Sequence, residues 1–211
     1  MTLHQLPIAN KERVIIVGAG IGGLAASLRL SHMGYNVKVF ETAETAGGKL
    51  RTITGQTGEI DIGPTVLTLL PVFQNLFRSV GEDIFDHIEL VRQKIIARHW
   101  WPDGETLDLH DDFESSRDAI LNFSGPESAK EFEKYFYDTR DLFSCFDIPV
   151  MQNPNPSMLD MNRAVLNNPK ILFKMHPLRT LSGLLNYKFR DKRLQQLFGR
   201  YATYVGGSPL E

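Results

Sequence analysis

The hydrophobic pattern changes period twice within the first forty residues. Arg13-Val14-Ile15-Ile16-Val17 is a β-branched run that stops at glycine, the pattern of a buried strand. Between Ile21 and Met33 the apolar residues Ile21, Leu24, Ala25, Leu28 and Met33 return at near-helical spacing, and Gly34 is a fitting stop. Asn36 to Phe40 alternates with period two and reads as a second strand. Strand, glycine turn, helix and strand together predict a βαβ unit with a parallel pair.

The pattern is less regular beyond Glu41. Five glycines, Gly47, Gly48, Gly55, Gly58 and Gly63, punctuate a turn-rich stretch with short strands expected around Leu50–Thr54 and Glu59–Ile62. Leu69 to Val80 has its apolar residues on one helical side and ends at Gly81. Ile95–Trp101 and Thr106–Leu109 flank Pro102-Asp103-Gly104-Glu105, which predicts a hairpin. The chain turns helical after Asp112. Pro126 starts a helix that should reach about Cys145, Asn153–Ser157 is a break, and shorter helices are interrupted at Pro169 and Pro177. The last helix is expected over Lys192–Val205, before Gly206-Gly207.

A length of 211 residues allows one or two domains. With 23 Lys and Arg against 25 Asp and Glu, the net charge of −2 gives no basic field to gather nucleic acid. The total hides a gradient. Trp101–Val150 has 13 acids against 4 bases, and Met158–Arg193 has 8 bases against 2 acids. A single cysteine, Cys145, excludes an internal disulfide and a cysteine metal cluster. Neither His87 nor His176 has metal-ligand spacing, so no metal is expected. The first residues lack the pattern of a signal peptide, no run is apolar enough to span a bilayer, and a cytoplasmic location is expected.

Gly18-Ala19-Gly20-Ile21-Gly22-Gly23 fits G-x-G-x-x-G in the context that motif needs, after a strand and opening a helix. Gly18 permits the tight turn, Gly20 lets a pyrophosphate approach the backbone, and Gly23 lets helix and strand pack closely. The helix N-terminus at Ile21 and Gly22 supplies N–H groups and partial positive charge. Glu41, 18 residues after Gly23, is placed to accept hydrogen bonds from a ribose diol and would repel a 2′-phosphate. It does not separate NAD from FAD. Gly47-Gly48-Lys49-Leu50-Arg51 follows closely, with glycines for backbone approach and Lys49 and Arg51 as cations for phosphate. Ile60-Asp61-Ile62-Gly63-Pro64-Thr65 adds a rigid bend and a hydroxyl at a helix entry.

With these segments in place, the chain resembles the FAD-dependent amine oxidase and carotenoid desaturase superfamily, in which a Gly-Gly-Arg/Lys element follows the ribose acid. The string from Asp61 to Thr65 is similar to that of the bacterial phytoene-desaturase family, where it lies near the flavin. Ala97–Gly104 and Phe198–Pro209 resemble the branch containing methoxyneurosporene dehydrogenase and 1-hydroxycarotenoid 3,4-desaturase. The resemblance implies an α/β fold with a Rossmann-like FAD-binding region over 1–80. It implies a mixed strand and helical substrate and membrane-associating region over 81–211. It also implies FAD as cofactor, with Gly18, Gly20, Ile21, Gly22, Gly23, Glu41, Gly47, Gly48, Lys49, Arg51, Gly63, Pro64 and Thr65 as its binding residues.

The activity implied is desaturation of an acyclic carotenoid, a 1-hydroxycarotenoid at its 3,4 bond, in carotenoid biosynthesis. Phytoene-type desaturation and carotenoid isomerisation are the near alternatives. Amine oxidation and non-catalytic lipid carriage are the distant ones. Members of this family are about twice this length or more, so the chain is expected to be an N-terminal fragment, inactive by itself. No residue pair qualifies as a general base. The basic, apolar stretch Met158–Arg193 fits either a solvated helix face or a peripheral membrane contact. His99, Trp100 and Trp101 fit hairpin packing or the lining of a polyene channel. The oligomeric state is left open.

Overall fold

The computed structural model describes residues 12–64 and 67–210. The chain divides into two compact units, with the boundary between Leu90 and Val91.

The first unit opens on strand β1 (Arg13–Val17), helix α1 (Ile21–His32) and strand β2 (Asn36–Phe40). The strands pair in parallel, from Arg13 opposite Asn36 to Val17 opposite Phe40. This is the βαβ unit predicted from the change of period. Helix α1 has Gly20 as its N-cap and Met33 as its C-cap, after which Gly34 takes a φ of +93° that favours glycine. Strands β3 (Thr52–Thr54) and β4 (Glu59–Asp61) form a small antiparallel ladder, each within its expected range. Helix α2 (Leu70–Arg78) follows, with Pro71 in its first turn where a missing N–H costs nothing. A 3₁₀ turn, Ile84–Asp86, is capped by the Asp83 side chain.

The second unit begins with the predicted hairpin, β5 (Ile95–Trp100) and β6 (Thr106–His110). Its turn is held by Gly104 at φ +87° and by Asp103, which accepts the Glu105 N–H at 3.0 Å. Helix α3 (Phe113–Phe146) is N-capped by Asp112, which accepts the Ser115 N–H at 2.8 Å. It is two helices across a kink. Gly125 is non-helical (φ 85°, ψ 177°), and Pro126 restarts the helix as expected. A π-helical turn, Asp147–Met151, follows.

Four short helices complete this unit: α4 (Met158–Asn167), α5 (Ile171–Met175), α6 (Leu181–Lys188) and α7 (Lys192–Gly199). Ser157 and Asp160 form a reciprocal capping box on α4, and Thr180 and Asp191 cap α6 and α7. The last helix is shorter than predicted. It tightens to 3₁₀ over Arg200–Val205, where Thr203 bonds back to the Arg200 carbonyl, and stops at Gly206 in the left-handed region.

The core of the second unit lies where β6, α3, α6 and α7 meet. Leu107 and Leu109, alternate residues of β6, are buried with Ile120 and Phe132 of α3, Leu185 of α6, Phe189, and Leu194, Leu197 and Phe198 of α7. Phe198 stacks on both Phe132 and Phe189, with ring centroids 5.9 and 5.1 Å apart. Burial of each such side chain contributes about 2 kcal/mol.

Candidate dinucleotide-binding site

The glycine segments that are separate in sequence converge in the first unit. The Gly18 N–H donates to the Phe40 carbonyl at 2.7 Å, which fastens the turn after β1 to the end of β2. The Gly47 N–H donates to the Ala19 carbonyl at 2.9 Å and brings the second glycine loop onto the first turn. A Cβ on Gly48 would lie 3.0 Å from the Gly20 Cα, so the two backbones are in contact there. Gly63 backs the same loop. A Cβ on it would come within 2.0 Å of the Lys49 carbonyl oxygen, and the Ile62 N–H reaches the Arg51 carbonyl at 3.0 Å.

Within G-x-G-x-x-G each glycine has its own geometry. Gly18 has φ +98°, a turn conformation that side chains rarely adopt. A Cβ on Gly23 would lie 2.0 Å from the Gly18 carbonyl oxygen and 3.4 Å from Ile16, so α1 packs on β1 through this glycine. Gly20 is different: a Cβ there meets only the Gly48 Cα, at 3.9 Å. Its missing side chain leaves room that the protein does not fill. Helix α1 starts at this room with no side-chain cap and no acid in its first turn. The N–H groups at Ile21 and Gly22 therefore face no competing carboxylate from their own helix. A cradle that only glycine leaves open, against an uncapped helix N-terminus, fits a pyrophosphate.

Glu41 directly follows β2. One carboxylate oxygen accepts the Ala19 N–H at 2.6 Å, and the other accepts the N–H groups of Thr42 and Ala43 at 2.8 and 2.9 Å. The bonds from Ala43 and Ala19, then the Thr42 hydroxyl, pull its pKa down to about 2. A folded pKa below the ordinary value means that these bonds stabilise the turn above about pH 4.5 and are lost as pH falls toward 2. A carbon-detected titration of Glu41 should therefore show a flat carboxylate signal from pH 7 to pH 4, where an ordinary glutamate is already titrating. An inflection near 4.5 would show that the bonds from Ala43 and Ala19 are not formed.

Lys49 and Arg51 flank the second loop, are exposed, and form no ion pair among the described residues. Pro64 is exposed, and Thr65 lies outside the described residues. Ala19 was not among the residues predicted for the site. This buried residue is the hub that donates to Glu41 and accepts from Gly47, through backbone atoms that leave no mark in the sequence.

In the second unit the aromatic cluster resolves into separate roles. Trp101 packs on Phe123 with ring centroids 5.0 Å apart, and its indole N–H donates to Gln196 at 3.0 Å. Trp100 is exposed. Both ring nitrogens of His99 are buried without a hydrogen-bond partner among the described residues, and burial together with Arg200 lowers its pKa. Cys145 is half-buried at an open cleft of about 580 Å³ beside Arg163 and Asn167, with its thiol 3.6 Å from the Ala164 carbonyl. No helix among the described residues is long and apolar enough to cross a membrane.

The parallel βαβ unit and the glycine cradle define a Rossmann-like dinucleotide-binding region, and a family profile for an NAD(P)-binding Rossmann-like domain matches residues 16–82. By sequence, the chain is similar to carotenoid desaturases over nearly its whole length. It is 43% identical over 197 residues to the hydroxyneurosporene desaturase of Cereibacter sphaeroides, covering 93% of this chain and 40% of that protein. The hydroxyneurosporene desaturase of Rhodobacter capsulatus is 40% identical over 200 residues, 95% of this chain and 40% of its own length. The 1-hydroxycarotenoid 3,4-desaturase of a Flavobacterium species is 31% identical over 202 residues, 94% of this chain and 40% of its length. The chain thus spans about 40% of the length of these curated relatives.

Proposed function

We propose that this chain is the dinucleotide-binding portion of an FAD-dependent carotenoid desaturase acting on an acyclic 1-hydroxycarotenoid. The observation that carries the reading is the convergence of Gly20, Gly48 and Glu41 on one uncapped helix N-terminus. The identity to hydroxyneurosporene desaturases over nearly the whole chain supports the substrate class. Backbone N–H groups at Ile21 and Gly22 would hold the pyrophosphate, and the Glu41 carboxylate would exchange its bond to Ala19 for the ribose diol. Lys49 and Arg51 would add positive charge, with Gly47, Gly63, Pro64 and Thr65 shaping the adjoining wall. FAD bound there supplies a two-electron acceptor, so a substrate that loses hydrogen from two neighbouring carbons gains a double bond. Residues 1–80 would serve the cofactor and 81–211 the substrate. Because a carotenoid resides in lipid, the enzyme would work in peripheral contact with a membrane.

The test uses the full-length desaturase that carries this portion, with FAD, liposomes and an acyclic 1-hydroxycarotenoid under anaerobic conditions. Bleaching of the flavin band, with a pigment two hydrogens lighter, is the expected result. A bound flavin that is bleached by amines but leaves the pigment unchanged would overturn the reading.

A further inference from the structure

Among the described residues, His99 is the histidine with both ring nitrogens sealed from solvent and no hydrogen-bond partner at either. A neutral imidazole carries one donor and one acceptor, and buried polar groups are ordinarily paired. The hairpin explains the isolation. His99 stands opposite Leu107 in the β5–β6 ladder, and Leu107 is part of the core of the second unit. The neighbouring pair, Arg98 opposite Asp108, points to the other side of the ladder, because successive strand residues alternate. There the Asp108 carboxylate accepts two bonds from the Arg98 guanidinium, at 2.6 and 2.7 Å, and is committed away from the imidazole.

His99 also lies where the hairpin is fastened to α7. Its ring is 6.2 Å from that of Trp101, whose indole N–H donates to Gln196 of α7 at 3.0 Å. Asp103 in the hairpin turn lies 3.8 Å from Arg193 of α7. Arg200 opens the 3₁₀ turn that continues α7 and sets a positive charge toward His99. Burial first, then Arg200, hold the imidazole pKa below its ordinary value, against lesser pulls from the Leu107 backbone and Asp108 on β6. A proton arriving on His99 therefore places a cation in an interior with no acceptor aimed at it and a second cation near by.

We propose that His99 is an acid-sensitive latch between the β5–β6 hairpin and α7. Neutral, it lets the hairpin close on α7. Protonated, it drives the hairpin off α7 and breaks the Trp101–Gln196 and Asp103–Arg193 contacts. The proposal concerns the second unit alone and needs neither flavin nor carotenoid. A folded pKa below the ordinary value means that the open form takes up the proton first. The closed hairpin is thus fully stable above about pH 6.5 and loses stability as pH falls below it.

The experiment is urea unfolding of the chain, followed by tryptophan emission, at a series of pH values. Trp100 is exposed, and Trp100→Phe leaves Trp101 as the sole indole. In that background the urea midpoint is expected to be level above about pH 7 and to fall between about pH 6.5 and pH 5. Adding His99→Phe should remove the part of the fall that belongs to this residue. What remains belongs to groups such as His176, whose pKa is lowered by burial, Lys188 and Arg179. Arg200→Gln should diminish the fall without abolishing it, which a purely packing role for His99 would not produce. In the unmutated chain, the His99 ring resonances should keep their neutral-form positions at about pH 6.5, where a free histidine is half protonated. A His99 resonance that titrates there would overturn the proposal. So would a fall in midpoint that is unchanged by His99→Phe.

Discussion

Gly20→Val is expected to abolish flavin retention while leaving the first unit folded. The backbone at Gly20 has φ −76° and ψ 179°, which any residue adopts, and only the Gly48 Cα lies within 4 Å of the place a Cβ would take. The valine Cβ therefore meets no protein obstacle, and the side chain enters the room left for the pyrophosphate. Affinity for FAD should drop by roughly two orders of magnitude or more, because backbone approach to the phosphates is what that glycine permits. Gly23→Val should behave in the opposite order. Its Cβ would sit 2.0 Å from the Gly18 carbonyl, so the helix must leave the strand and the fold weakens before any ligand is added. Isothermal titration with FAD and a thermal melt of each variant separate the two cases. Flavin held by Gly20→Val as tightly as by the wild type would remove the phosphate from this turn.

The largest stability effect is expected at Asp138, in the second unit. Its carboxylate accepts from Lys188 at 2.6 Å and lies 3.2 Å from Lys174, which also reaches Asp141 at 2.5 Å. The Lys188 side chain is only 8% exposed and Asp138 only 16%. Asp138→Ala would leave a buried ammonium without its partner, at a cost of about 3 kcal/mol in unfolding free energy. The double change Asp138→Leu with Lys188→Met should restore most of it, because an apolar pair of similar volume has no charge to desolvate.

Acid unfolding tests the same contact. Burial raises the Asp138 pKa, but the hydrogen bonds from Lys188 and Lys174 outweigh it and the net direction is down. The ion pair therefore stabilises the fold above the ordinary aspartate range and is lost as pH falls below it. Asp138→Leu with Lys188→Met should lack that component of the acid transition. A full loss of about 3 kcal/mol in the double variant, within about 0.5 kcal/mol of the single one, would show that packing rather than charge sets the cost.

The β1–α1–β2 unit was legible because the change of period, the β-branched run of β1 and the glycines at Gly18 and Gly34 agree. The hairpin and the Gly125-Pro126 restart of α3 were legible through turn chemistry. The π-helical turn at Asp147–Met151 was not. Pro149 lacks an N–H and so shifts the bonding pattern, which leaves no periodic trace. Leu69 and His176, at φ 53° and 46°, take left-handed backbone that neither residue type signals. In the site, the glycines and Glu41 could be read from spacing. The bond from the Ala19 N–H to Glu41 and the backbone contact of Gly48 with Gly20 depend on how separate segments fold back.

The most direct test of dinucleotide binding at the Gly20 cradle is the absorption spectrum of the protein after incubation with FAD and desalting, with NAD incubated in parallel. Flavin bands between about 350 and 500 nm are expected to stay with the protein. AMP should compete for the site, and NADP should not, because the Glu41 carboxylate would face its 2′-phosphate. A colourless protein that instead retains NAD or NADP would contradict the assignment of this cradle to FAD.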